Sequence, residues 1–137
     1  MEHPVVVLEA KRDKLYRQLQ ALGDFRRGSI SANYRKCGKR NCACAQTGHP
    51  GHGPQYLWNA TIAGRSQAQN LPLGPALEKV RRETENYRTF QRCCEGLVKV
   101  NEELCRLRPT PVPADENELE VLKKKLRKRF SRKSRRK

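Results

Sequence analysis

Aromatic residues are scarce in this 137-residue chain. They make up 6% of it, with a single Trp, and only 36% of residues are hydrophobic. That shortage excludes a large single core, and a fold this thin gains from a structural metal. No apolar run approaches the length of a membrane-spanning helix. Val5-Val6-Val7-Leu8 is too short for the apolar part of a secretory signal, and Glu9 follows at once. A cytoplasmic, reducing setting without a membrane is therefore expected. Acidic residues are missing from the whole stretch between Phe25 and Leu77. A catalytic metal ordinarily needs a carboxylate nearby as general acid or base. A phosphate cradle is missing too, because Gly48, Gly51 and Gly53 lack both the P-loop lysine and a strand–helix setting. These absences point away from an enzyme and from a small-molecule substrate.

Basic residues are abundant. Thirty Lys and Arg stand against fourteen Asp and Glu, for a formal net charge of +16. Such an excess predicts attraction to a polyanion, most commonly nucleic acid. The acid-free stretch carries Arg26, Arg27, Arg35, Lys36, Lys39, Arg40 and Arg65. Tyr34, Tyr56 and Trp58 lie among them as candidates for stacking on bases, or equally as the small core of a sheet. A second basic block, residues 123–137, holds eleven Lys or Arg and no acid. Its Lys123, Lys124, Lys125, Arg127, Lys128, Arg129, Arg132 and Lys133 are candidate phosphate contacts. A block of like charge repels itself and is expected to stay disordered, or to form a short amphipathic helix only on a partner.

The remaining feature is Cys37-Gly38-Lys39-Arg40-Asn41-Cys42-Ala43-Cys44, followed by His49 and His52. Three cysteines and two histidines fall within sixteen residues of a Gly-rich loop. Clustered thiols in a reducing compartment are more often metal ligands than disulfides. Thiolate and imidazole donors favour zinc in tetrahedral geometry. Cys37, Cys42, Cys44 and one histidine suffice for a closed site. His52 is the preferred fourth ligand, since the Pro50-Gly51 turn lets the chain fold back, and His49 is the alternative. The C-x4-C and C-x-C spacings depart from the usual C-x2-C pairing, and a metal-free thiol loop is the competing reading. An iron–sulfur cluster would normally use four local cysteines. Cys93, Cys94 and Cys105 read as small packing or surface residues.

The expected architecture is α+β. Val5, Leu8, Leu15, Leu19 and Leu22 recur at helical spacing within an N-terminal helix (residues 1–23), with Arg12 in the one polar slot and Gly23 as the stop. The stripe is narrow and needs a partner helix. Residues 25–73 form the zinc-loop β element, with strands over 29–34, 55–62 and 66–71 and a turn at Ala63-Gly64-Arg65. A long helix follows over 75–108. Its stripe is Leu77, Val80, Tyr87, Phe90, Cys94, Leu97, Val98, Leu104 and Leu107, with Gly96 as a weak point. The picture is a small zinc-stabilised antiparallel hairpin or sheet flanked by two long helices that pair in coiled-coil fashion. A Pro-rich then acidic linker (109–122) and the basic tail complete the chain.

Tyr34-Arg35-Lys36-Cys37-Gly38-Lys39, Cys42-Ala43-Cys44 and Gly51-His52-Gly53-Pro54-Gln55-Tyr56-Leu57-Trp58 resemble an uncharacterised bacterial domain-of-unknown-function family. Its small proteins carry CGK-x2-C-x-C and GHGP-aromatic segments and then a helix with an NYR-x-F stretch, here Asn86 to Phe90. The resemblance spans about residues 25–105. It implies His52 as fourth ligand, a bacterial cytoplasmic setting and an association with mobile elements, and brings no enzymatic activity. Together these features predict a non-enzymatic, zinc-stabilised nucleic-acid-binding accessory protein within a larger DNA or RNA complex. The alternative is a coiled-coil protein-interaction module, docking a partner or a second copy, whose charge only tunes solubility. A metal-dependent nuclease or hydrolase would need an acid such as Glu78 or Glu83 brought to the loop.

Overall fold

The structure is a computed structural model that describes residues 3–131. The chain forms two compact units, one up to Leu104 and one from Cys105 onward. Candidate contacts Arg132 and Lys133 lie outside the described residues.

The first unit opens with helix α1, Pro4–Ala21. His3 caps it, its Nδ1 accepting from the Val5 N–H at 3.2 Å, and Pro4 occupies the first turn, where no N–H is needed. The expected stripe is the half-buried one: Val5, Leu8, Arg12, Leu15, Leu19 and Leu22 are all partly covered. None is fully buried.

Three antiparallel strands follow, in the order β1-β2-β3: β1 Ser29–Arg35, β2 His52–Ile62 and β3 Arg65–Leu71. Ile62 pairs with Arg65, so Ala63-Gly64 is a two-residue hairpin loop. Both residues have positive φ, 53° and 76°, as a type I′ turn requires. One sheet face carries Trp58 and Leu71, which bury against Val80 with Ile30, Tyr56, Ala60, Ile62 and Leu77 around them. Trp58 is thus a core residue, and its indole N–H donates to the Arg27 carbonyl at 2.8 Å.

Helix α2, Pro75–Leu107, is the platform for the unit. Its first turns carry the sheet through Leu77 and Val80. Further along it meets α1 in antiparallel order. Arg12 Nη1 donates to Asn101 Oδ1 at 3.2 Å, a Cβ at Gly96 would lie 3.3 Å from Leu15, and Cys93 Sγ donates to Gln18 Oε1 at 3.7 Å. Gly96 is therefore a point of close helix approach rather than a weak spot. The buried stripe also differs from the expected one. Cys93 and Val100 are buried where Cys94 and Val98 were expected, and Val98 is 55% exposed. Cys93, Leu97, Val100 and Leu104 advance by alternating four and three residues, the heptad rhythm of a helix seam. Thr84 is buried as well, and its hydroxyl is satisfied by the Val80 carbonyl at 2.9 Å.

The segment between α1 and β1 is pinned to α2. Asn86 donates to the Asp24 carbonyl at 3.0 Å. Phe25 stacks on Phe90 at 4.8 Å between ring centres and tilts against Tyr87. Gly28 has φ +118°, and a Cβ there would collide with Trp58 Nε1, so only glycine lets the chain pass the indole.

In the second unit, helix α3 runs Glu116–Arg129. The expected linker-to-tail boundary at residue 122 falls inside it. Charge order explains the helix. The Asp115 side chain accepts from the Glu118 N–H at 2.8 Å, and Glu118 accepts from the Ala114 N–H at 2.8 Å, a reciprocal cap. Acids fill the first turn and Arg127, Lys128 and Arg129 the last, complementing the helix dipole at both ends.

Candidate metal centre and basic surface

The ends of β1 and β2 build the site. The ladder runs regularly to Asn33 opposite Gln55, shifts register, and closes with Arg35 opposite His52. Two glycines permit that closure. Gly51 (φ +106°) places its Cα where a Cβ would sit 2.7 Å from the Arg35 backbone. Gly53 (φ +139°) would put one 2.7 Å from the Asn33 carbonyl oxygen. Cys37 lies two residues past β1. The intervening loop folds on itself through Cys42 N–H to the Lys39 carbonyl (3.3 Å) and Ala45 N–H to the Cys42 carbonyl (3.0 Å). A single 3-10 turn, Ala43–Ala45, turns Cys44 inward, where it is 1% exposed.

Cys37 Sγ, Cys42 Sγ, Cys44 Sγ and one ring nitrogen of His52 all lie within 4.8 Å of one another. Cys37 and Cys44 sulfurs are 3.5 Å apart, and Cys42 Sγ is 3.2 Å from His52 Nε2. A tetrahedral ion with bonds of about 2.3 Å needs ligand separations of about 3.8 Å, so these four could hold a metal ion. His49 is elsewhere. Its Nδ1 accepts from the Gly51 N–H at 2.9 Å and so helps shape the turn that delivers His52. The electrostatics prepare the thiols unequally. The Lys39 N–H and then the Cys44 thiol hold the Cys37 thiol below its ordinary pKa. Cys44 accepts from the Cys37 N–H, yet burial and the two neighbouring thiols push it up. A cation among the sulfurs would relieve that crowding.

Among the described residues no carboxylate joins the cluster. Glu78 is paired with Arg81. Glu83 is paired with Arg26 (2.8 Å) and Lys79 (2.7 Å). Neither acid that a hydrolase would need is brought to the loop.

The predicted cations fall into distinct groups. Arg35, Lys36, Lys39 and Arg40 are exposed and sit beside or between the ligands, with Tyr34 half exposed next to them. Arg27 is exposed two residues before β1. Arg65 opens β3, at the opposite end of the β2 ladder from His52. Arg26 is engaged. It lies 5.2 Å over the Trp58 ring, pairs with Glu83 and donates its N–H to the Glu83 carbonyl. Lys123, Lys124, Lys125, Arg127, Lys128 and Arg129 are exposed on α3 in the other unit. The pinning residues Phe25, Glu83, Asn86 and Phe90 were not singled out as a group by sequence reasoning. The one signal for Asn86 and Phe90 was the NYR-x-F stretch, whose contacts with Asp24 and Phe25 are long-range.

A family model described as a domain of unknown function (DUF6788) matches residues 7–82. The chain belongs to that family. The match takes in α1 from residue 7 on, the whole metal loop and the three strands, and ends in α2 before Asn86. No curated protein and no solved structure matches the chain.

Proposed function

We propose that this chain is a non-enzymatic, zinc-stabilised nucleic-acid-binding protein that serves as an accessory subunit of a larger DNA or RNA complex. One observation carries the reading. Arg35, Lys36, Lys39 and Arg40 lie on the backbone that also holds Cys37 and Cys42, in a stretch with no acid from Phe25 to Leu77. Zinc fits the three-thiolate, one-imidazole donor set, and its role is to fix that backbone. Cys37, Cys42, Cys44 and His52 would hold it, and four filled positions leave none for substrate. The fixed loop then offers four cations to a phosphate backbone. On duplex DNA each neutralised phosphate adds roughly 0.9 to the slope of log K against log salt, so the loop alone gives a slope of about −3 to −4. A mobility-shift assay over a salt series tests this. No retention of DNA or RNA even at low salt rejects it.

A second reading has its own observation. Helix α1 meets α2 at Arg12, Leu15 and Gln18 yet has no fully buried residue, while Val6, Val7 and Tyr16 remain about half exposed. In that reading α1 and α2 form a coiled-coil platform that docks a protein partner or a second copy. Removing residues 110–137 separates the two. Partner binding survives the truncation, whereas nucleic-acid affinity falls with the loss of the α3 cations.

A further inference from the structure

Trp58 and Leu71 point into the core, so the alternate residues of the sheet point outward. These are the ten positions 29, 31, 33, 55, 57, 59, 61, 66, 68 and 70. In a chain that is 32% charged, not one of them carries a charge. A merely solvated sheet face in so charged a protein would be dotted with Lys and Glu. Here the face offers the amides of Asn33, Gln55, Asn59 and Asn70 and the hydroxyls of Ser31 and Thr61. Some of these groups are held in place: Asn59 Nδ2 donates to Ser31 Oγ at 2.9 Å and to the Leu57 carbonyl at 3.4 Å.

The face also has two distinct ends. At one end the ladder closes with Arg35 opposite His52, so the strip runs into the metal loop and its cations. At the other end lies a shallow depression of about 490 Å³, lined by Ser29, Asn59, Thr61, Ser66 and Ala68 together with Gly28. Thr61 lies nine residue steps along β2 from His52, a span of roughly 30 Å at about 3.3 Å per residue.

We infer that this uncharged outer face reads nucleobases, while the metal loop holds the phosphates. The inference rests on the nucleic-acid reading above and extends it from affinity to selectivity. Phosphate contacts carry no sequence information, whereas amide and hydroxyl groups matched to base edges do. Asn and Gln in particular present a donor and an acceptor side by side, the pattern that adenine complements. An amide face without charge complements base edges, which are polar but neutral. The cation-rich end complements the backbone. A strand anchored at Arg35 and Lys36 and laid along β2 would meet both in turn.

The test uses the full-length zinc-loaded protein with two randomised oligonucleotide pools, one single-stranded and one duplex. Selection is followed by sequencing and by anisotropy titration over a salt series. Wild type should enrich a defined sequence, and the pool in which it does so identifies the strandedness. The triple variant Asn33→Ala, Gln55→Ala, Asn70→Ala changes only exposed side chains. It should bind the enriched sequence at least about tenfold more weakly, keep the wild-type salt slope and retain its zinc. Salt-dependent binding with no enrichment, or the same enrichment and affinity in the triple variant, overturns this inference and leaves nucleic-acid binding standing. Failure to retain either pool at low salt overturns both.

Discussion

Replacing Gly51 by Ala should disable the metal centre, and the adjacent loop supplies a matched control. Gly48 and Gly51 both have positive φ, +87° and +106°. An added Cβ therefore costs about 1–2 kcal/mol of backbone strain at either position. Their surroundings differ. Nothing lies within 4 Å of a Cβ at Gly48, whereas one at Gly51 would sit 2.7–2.9 Å from the backbone C, N and O of Arg35. Those atoms belong to a paired strand and cannot swing aside. Restoring ordinary contact at about 3.4 Å moves the His52 and Arg35 strands apart by about 0.7 Å. Metal–ligand distances tolerate only about 0.2 Å, so His52 drops out of the cluster. Disturbing the support of a ligand already costs 10–100-fold in metal affinity. Gly51→Ala should reach about 100-fold, equivalent to about 2.7 kcal/mol, with Gly48→Ala near wild type. Zinc competition against a chromogenic chelator at neutral pH reads the affinity. Wild-type affinity in Gly51→Ala, or an equal loss in Gly48→Ala, refutes the geometry of the site.

His52→Ala should remove stoichiometric zinc from the purified protein, while His49→Ala keeps it and only loosens the turn; metal analysis of both variants decides between them. Gly28→Ala forces a Cβ against Trp58 and disturbs the indole bond to Arg27, for a loss of about 3 kcal/mol from strain and one hydrogen bond. The single tryptophan reports this directly in denaturant unfolding, and a loss below about 1 kcal/mol counts against the packing described. Glu83, only 13% exposed, is held below the usual carboxylate range by the Lys79 ammonium first and by Arg26. Its folded pKa is depressed, so its stabilisation is present above the unfolded value near 4.5 and lost as pH falls through the folded one. Glu83→Gln should cost about 1–2 kcal/mol at neutral pH and flatten the acid limb of the stability profile. Chelation should release residues 36–53 to hydrogen exchange while amides around Trp58 and Val80 stay protected, because Cys44 is the one fully covered side chain in that loop.

How much of this was legible in the sequence depended on the range of the interactions. The α1 stripe, the Ala63-Gly64 turn and the three strands follow from local periodicity and turn chemistry, and each appears within a few residues of its expected place. The four candidate ligands were legible because donor chemistry restricts the choice. His52 could be preferred over His49 because the Pro50-Gly51 turn lets the chain fold back, and it is His52 that joins the three thiols; the register shift that sets it opposite Arg35 is announced by no periodicity. The shift from Cys94 and Val98 to Cys93 and Val100 was missed because a long helix drifts against a fixed stripe, and only contact with α1 sets the phase. Helix α3 was expected only on a partner because charge was counted by block, whereas the order of acids before bases is what favours a helix.

Arg26 shows why net charge is a poor guide to where a polyanion would sit. It stands in the acid-free stretch, beside Arg27, and by composition it belongs with the binding cations. Yet its guanidinium lies over Trp58 and pairs with Glu83 from α2, and its own N–H bonds the Glu83 carbonyl. A phosphate could recruit it only by displacing a carboxylate from a mostly covered site, at the cost of the loop that positions β1. The segment from Asp24 to Gly28 therefore uses its first arginine to build the sheet. Arg65, at the far end of the hairpin, is too distant to act with the loop. What remains near the metal ligands is the compact set Arg35, Lys36, Lys39 and Arg40, on a backbone that a metal would fix. A small fixed group of cations creates a local field in a way that a diffuse +16 does not. That focus gives the uncharged sheet face beside it a defined starting point for any strand laid across it.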